Sequence, residues 1–211
     1  MKKVVLAFFI GILCTIFITN YNQSIETALA DSVIRLHVIA NSDREHDQAL
    51  KLKVRDAILD EFGSSFDTYE GIDYSRSEIE KNLKLIEKTA KNVIQKNGYD
   101  YSVKASLGKS DFPTKSYGNV TLPAGSYEAL KVEIGQAQGK NWWCVMFPPL
   151  CFVDGSCAEI PKSSEEYLKS SLGDNTYELI TNSNQFPVEF KFKAYEIWQN
   201  SKQAIKKIAI K

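Results

Sequence analysis

Apolar and polar residues alternate from Val33 to Ala40. Ile34, Leu36, Val38 and Ala40 fall on one side, and Val33, Arg35, His37 and Ile39 on the other. Side chains on a strand point to opposite faces in turn, so this period predicts a strand with one apolar and one mixed face. The chain then turns polar at Asn41, Ser42 and Asp43, and Ser42 with Glu45 has the spacing of a capping box that opens a helix. Leu50, Val54, Ala57, Ile58 and Phe62 follow at helical spacing, with Gly63 as the stop. Ser75 with Glu78 predicts a second helix start. Ile79, Leu83, Ile86, Ala90, Val93 and Ile94 hold that helix to Asn97-Gly98.

Tyr99 to Leu107 alternates again and predicts a strand with one wet face. Residues 108–126 contain Pro113, Gly118, Pro123 and Gly125 and read as a loop, with room for a short strand near Val120 or a partner contact. Tyr127 to Ile134 and Trp142 to Phe147 read as two strands of a hairpin. Ser163 with Glu166 predicts a short helix that Gly173 ends. A long strand is expected over Val188–Trp198, and a final helix after Ser201 with Ile205 and Ile208 on its apolar side. This order is not the regular alternation of a doubly wound sheet. It predicts a single α+β domain over 31–211: an antiparallel or mixed sheet with two long helices packed on one face.

The N-terminus changes the picture. Lys2 and Lys3 precede an apolar run from Val4 to Ile18, and Ala28-Leu29-Ala30 is a small-x-small site. Those are the parts of a secretory signal peptide, so residues 1–30 are expected to be a signal segment outside the fold, cut after Ala28-Leu29-Ala30, or a membrane anchor if uncut. The body would then lie in a compartment that permits disulfides. The 211 residues are 44% hydrophobic, with 26 basic and 26 acidic side chains. That composition is globular, and the even balance argues against a nucleic-acid binder that works by neutralising phosphates. Lys202, Lys206, Lys207 and Lys211 read as a solvated helix face.

Beyond the signal segment there are three cysteines, Cys144, Cys151 and Cys157. Pro148 and Pro149 turn the chain between the first two, so a Cys144–Cys151 disulfide is favoured, with Cys151–Cys157 as the competing pair. Closing so short a loop contributes roughly 2–3 kcal/mol in the chain-entropy account. The spacings of these cysteines are not the close pairs of zinc ribbons, and a zinc site would need His37 or His46 to complete it. A Cys144 nucleophile would need an oriented histidine such as His37, and no local hydrolase signature is present. Asp43, Glu45, His46 and Asp47 could suggest a metal, but acids in a first helical turn are favoured by the helix dipole anyway. No phosphate-cradling loop, serine elbow or zinc-protease helix occurs. The residues therefore predict no catalytic side chain, no metal and no cofactor.

What remains is surface. Arg35 and His37 share a strand face near Asn41 and Asp43, and Trp142 and Trp143 lead a cluster with Phe147, Pro148, Pro149, Leu150 and Phe152. These are the expected protein-binding positions, since aromatic residues and arginine anchor interfaces. The plainer account makes Arg35 half of a structural ion pair and the aromatic cluster core packing around a disulfide.

The stretches Arg35–Asp43, Asp47–Asp56 and Trp142–Phe152 closely resemble the stage II sporulation protein R family of endospore-forming bacteria. The resemblance implies a secreted signalling protein, not an enzyme. It would be made in the forespore and exported across the forespore membrane into the intermembrane space. There it would activate a membrane-embedded sporulation aspartic protease that processes a precursor sigma factor, pro-sigma-E. Membrane contact would be transient, through the signal segment. The alternative is an extracytoplasmic hydrolase or thiol enzyme using Cys144 with His37.

Overall fold

The computed structural model describes residues 24–63, 70–151 and 160–181. Helix α1 covers 24–31, and strand β1 (Ile34–Ile39) follows. Helices α2 (Glu45–Phe62) and α3 (Gly71–Lys96) come next. Then come β2 (Val103–Phe112), β3 (Lys115–Tyr117), β4 (Val120–Leu122), β5 (Gly125–Ile134) and β6 (Asn141–Phe147). Helices α4 (Lys162–Leu172) and α5 (Asp174–Thr181) complete the described chain. The fold is α+β with a mixed sheet. The apolar run 4–18, the strand expected over 188–198, the helix after Ser201, and Phe152 and Cys157 lie outside the described residues.

The main sheet has four strands in the order β2-β5-β1-β6, and β3 and β4 form a separate ribbon. β1 runs parallel to β5 and antiparallel to β6, while β2 and β5 are antiparallel. The expected β5–β6 hairpin does not form, because β1 lies between its two arms. Ile34, Arg35, Leu36 and Val38 are all fully buried, so β1 needs cover on both faces and hydrogen-bonded neighbours on both edges. Strands sit about 4.8 Å apart, and the connection after β5 readily spans the roughly 10 Å needed to step over one of them.

Two strand boundaries also move. Tyr99 and Tyr101 precede β2, which instead continues to Phe112 through residues expected as loop. The remainder of that stretch folds into the β3–β4 ribbon, whose Tyr117, Val120 and Leu122 are buried.

The helices lie where their apolar spacing predicts, but none of the three capping boxes forms. The N-cap residues are Arg44, Glu70 and Pro161, each without a side-chain cap. The serines use their hydroxyls otherwise. Ser42 donates to Asp47 Oδ2 at 2.6 Å, and Ser75, one turn inside α3, bonds back to the Gly71 carbonyl at 3.2 Å. The C-terminal stops at Gly98 (φ +82°) and Gly173 (φ +74°) do take the left-handed backbone that glycine permits.

α2 and α3 pack together on the face of the sheet carrying Leu36, Val38, Leu130, Val132 and Ile134. We call this the back face. Arg76 of α3 clasps Glu128 of β5 through Nε at 2.9 and 3.0 Å, and Glu87 accepts the N–H of Ala105 at 2.8 Å, covering part of the β2 edge. One continuous apolar core runs from Leu29 in α1 to Ile180 in α5. Leu29 is 0% exposed, and Ser32 Oγ donates to the Ala28 carbonyl at 2.7 Å. The small-x-small site thus sits in a helix tied to the core, and a cut after Ala30 would remove the core side chain of Leu29.

Candidate functional site

Strand pairing places Arg35, His37 and Ile39 of β1 on the opposite, front face. With them lie Ala129, Lys131 and Glu133 of β5, and Asn141, Trp143 and Val145 of β6. The front face has two halves. In the closed half the Arg35 side chain is 0% exposed. Its Nη2 donates to the Tyr117 hydroxyl at 2.8 Å, and its guanidinium lies 4.0 Å from the Phe112 ring centre and 4.7 Å from that of Tyr127. Cation–π contacts of this kind are strongest when water is excluded. No carboxylate lies within ion-pair distance of Arg35 among the described residues, and its Nε and Nη1 have no hydrogen-bond partner. Burial raises Tyr117 above the usual phenol range and pushes Tyr127 to about 12, the cation of Arg35 opposing both. Arg35 is therefore neither an exposed contact nor half of a described ion pair. It pins the β3–β4 ribbon over the sheet.

The open half centres on His37. Its ring stacks on Trp143 with centroids 5.9 Å apart, and its Nε2 shares a 2.9 Å hydrogen bond with Asn141 Oδ1. Burial, opposed by the bond to Asn141, pulls its pKa below the usual imidazole value, so His37 is neutral at pH 7. Nδ1 of His37 and Nε1 of Trp143 are buried without partners. Lys131 and Glu133 flank the stack and pair with each other at 3.4 Å, and Lys115 Nζ sits 5.8 Å from the Trp143 ring centre.

The other expected contacts separate. Trp142 points to the back face, where the Arg55 guanidinium of α2 covers its ring at 4.1 Å. Asn41 and Asp43 sit in the β1–α2 loop and are spent on structure. Asn41 Oδ1 accepts the Gln136 N–H at 3.0 Å, its Nδ2 donates to Asp47 Oδ2 at 2.9 Å, and Asp43 Oδ1 accepts the Lys140 N–H. Asp47, 2% exposed, is the hub of this loop. Burial would raise its pKa, but hydrogen bonds from Ser42, Asn41 and Tyr101 outweigh that and hold it below the usual carboxylate value. Buried Lys51 donates to Gln48 Oε1 at 2.7 Å and to the Lys140 carbonyl at 3.1 Å. His46 stacks on Tyr99, and Tyr99 on Tyr101.

Cys144 and Cys151 are joined by a disulfide. Cys144 pairs with Leu36 across the ladder, so it lies on the back face, opposite His37. The thiol–imidazole dyad of the enzyme alternative is not assembled: the sulfur is in a bond and the sheet separates the two side chains. No grouping of metal-ligating residues occurs among the described residues.

Lys131, Glu133, Lys115 and Asn141 are front-face residues that the pattern did not single out. The alternation of β5 already put Lys131 and Glu133 opposite Leu130, Val132 and Ile134. What it could not supply was their register against His37.

The fold and this face define an α+β protein that carries, among the described residues, a mixed aromatic and charged surface around His37 and Trp143. The chain belongs to the stage II sporulation protein R family, whose sequence profile matches residues 30–157. It is 42% identical over 138 residues to stage II sporulation protein R of Bacillus subtilis (strain 168), covering 65% of this chain and 62% of that protein. The match thus spans less than two thirds of the relative's own length. No solved structure matches.

Proposed function

We propose that the chain is a secreted intercellular signal of endospore formation. In this reading it crosses the forespore membrane and acts in the intermembrane space. There it binds a membrane-embedded aspartic protease and shifts it to the active state, which then processes pro-sigma-E. A ligand can move such an equilibrium only by its differential affinity for the two states, so the protein needs a stable face rather than a reactive centre. Membership of a sporulation family supports the setting. The observation that carries the choice of a ligand over an enzyme is the engagement of Cys144 in a disulfide on the face opposite His37.

The test is reconstitution. Purified protein is added to membranes holding the protease and the precursor, and cleavage is followed with time. Cleavage should rise with the amount added and saturate. Equal cleavage without the protein would end this reading. Among single replacements, His37→Gln in a ligand should lose activity only as far as the fold or the contact surface around Trp143 is lost, a loss that more protein restores. An enzyme using that imidazole would stay folded and be inactive at any amount.

A further inference from the structure

The net charge of the chain is zero, yet the open half of the front face is not balanced. Lys104 pairs with Glu133 in the β2–β5 register and so shares this side of the sheet. Among the described residues, Lys131 and Lys115 then flank the His37–Trp143 stack and Lys104 lies further out on the same face, beside Glu133, the carboxylate that pairs with Lys131. Buried Arg35 belongs to the closed half, against Tyr117, Phe112 and Tyr127, and is not counted here. Glu26 of α1 acts on Tyr127, in the closed half. Neutral His37 contributes no charge.

We propose that this open half is a docking surface for an acidic segment of a protein partner. The partner's carboxylates meet Lys104, Lys115 and Lys131, and its apolar side chains lie on the Trp143–His37 platform. Half-buried aromatic rings ringed by charge are the usual anatomy of an interface hot spot, and complementary charge selects the partner. An anionic membrane fits less well. Membrane-surface binding uses projecting apolar side chains. Trp143 is laid down in a stack, and the exposed large apolar residues among those described, Tyr74 and Leu85, are both on α3. The inference rests on the proposed function only for the identity of the partner.

The test needs no protease, so its failure is distinct from failure of the activation reading. Fluorescein-labelled poly-L-glutamate is titrated with the full chain, and anisotropy is read at low and high salt. Lys104→Glu with Lys131→Glu should weaken binding at least about tenfold, equivalent to about 1.4 kcal/mol. Lys84→Glu with Lys88→Glu, on the exposed side of α3, should change it less than about twofold. Lys131→Gln, milder toward the fold, should give a smaller loss in the same direction, and circular dichroism checks that each variant is folded. Absence of binding by the wild-type chain, or equal losses from the two charge reversals, would overturn the proposal. So would tighter binding to phosphatidylglycerol vesicles than to poly-L-glutamate, lost in the Lys104/Lys131 variant.

Discussion

Gly135 faces Asn41 so closely that a Cβ on Gly135 would stand 2.2 Å from Asn41 Oδ1, the atom that accepts the Gln136 N–H. Gly135 also has φ +59°, in the left-handed region. Gly135→Ala should therefore cost about 1–3 kcal/mol, from backbone strain and displacement of Asn41. Gly139→Ala should cost more, because its Cβ would meet the Ser42 carbonyl oxygen at 2.2 Å and backbone cannot rotate aside. Urea denaturation of the two variants checks both the size and the order.

Asp47 gathers Ser42 and Asn41 onto one buried oxygen. Asp47→Ala should lose about 2–4 kcal/mol, since hydrogen bonds to a charged group are worth more than neutral ones and the donors are left unmet. The folded-state pKa is below the unfolded value of 3.8, so the carboxylate's contribution is complete above that value. It is lost as pH falls below 3.8 through the folded pKa. Acid titration of stability should show this loss in the wild type and not in the Asp47→Ala variant.

His37 carries the opposite sign. Its folded pKa lies below the unfolded 6.5, so the unfolded chain binds the extra proton first. Stability should fall as pH drops below 6.5 and level off under the folded pKa. The groups facing the ring are Lys131, Glu133 and Asn141, and Lys131 opposes the proton while Glu133 favours it. His37→Gln should flatten this part of the stability profile. A profile unchanged by the substitution would show that His37 is not the source.

The Cys144–Cys151 disulfide closes a short loop around cis Phe147-Pro148, in which the Leu150 N–H bonds the Val145 carbonyl at 3.1 Å. Replacing both cysteines by serine should cost roughly 2–3 kcal/mol of stability. If the protein acts as a ligand, activity at a temperature where the variant is fully folded should survive. A folded but inactive variant would point back to sulfur chemistry.

Leu29 is fully buried in the shared core. Leu29→Ala should cost about 2–5 kcal/mol, the range for cavities in packed interiors. If the protein is exported as proposed, the N-terminus of the exported form, read by mass spectrometry, should fall upstream of Leu29. A terminus at Asp31 together with undiminished stability would show that α1 is dispensable.

Alternation in β1 and β5, the helical spacing of α2 and α3, and the turn chemistry at Pro148-Pro149 are local patterns, and each was legible without a fold. They determined the α+β class, the apolar side of each element and the favoured cysteine pair. Ser42, Ser75 and Ser163 misled because a hydroxyl three residues before an acid has the right spacing whether or not the helix begins there. Only the tertiary structure could insert β1 between β5 and β6, because hydrogen bonding between strands carries no sequence address. That insertion decides which residues meet. It sends Trp143 to His37 and Trp142 to Arg55, sinks Arg35 beneath Tyr117, and divides one cluster of expected contacts into a scaffold and a face.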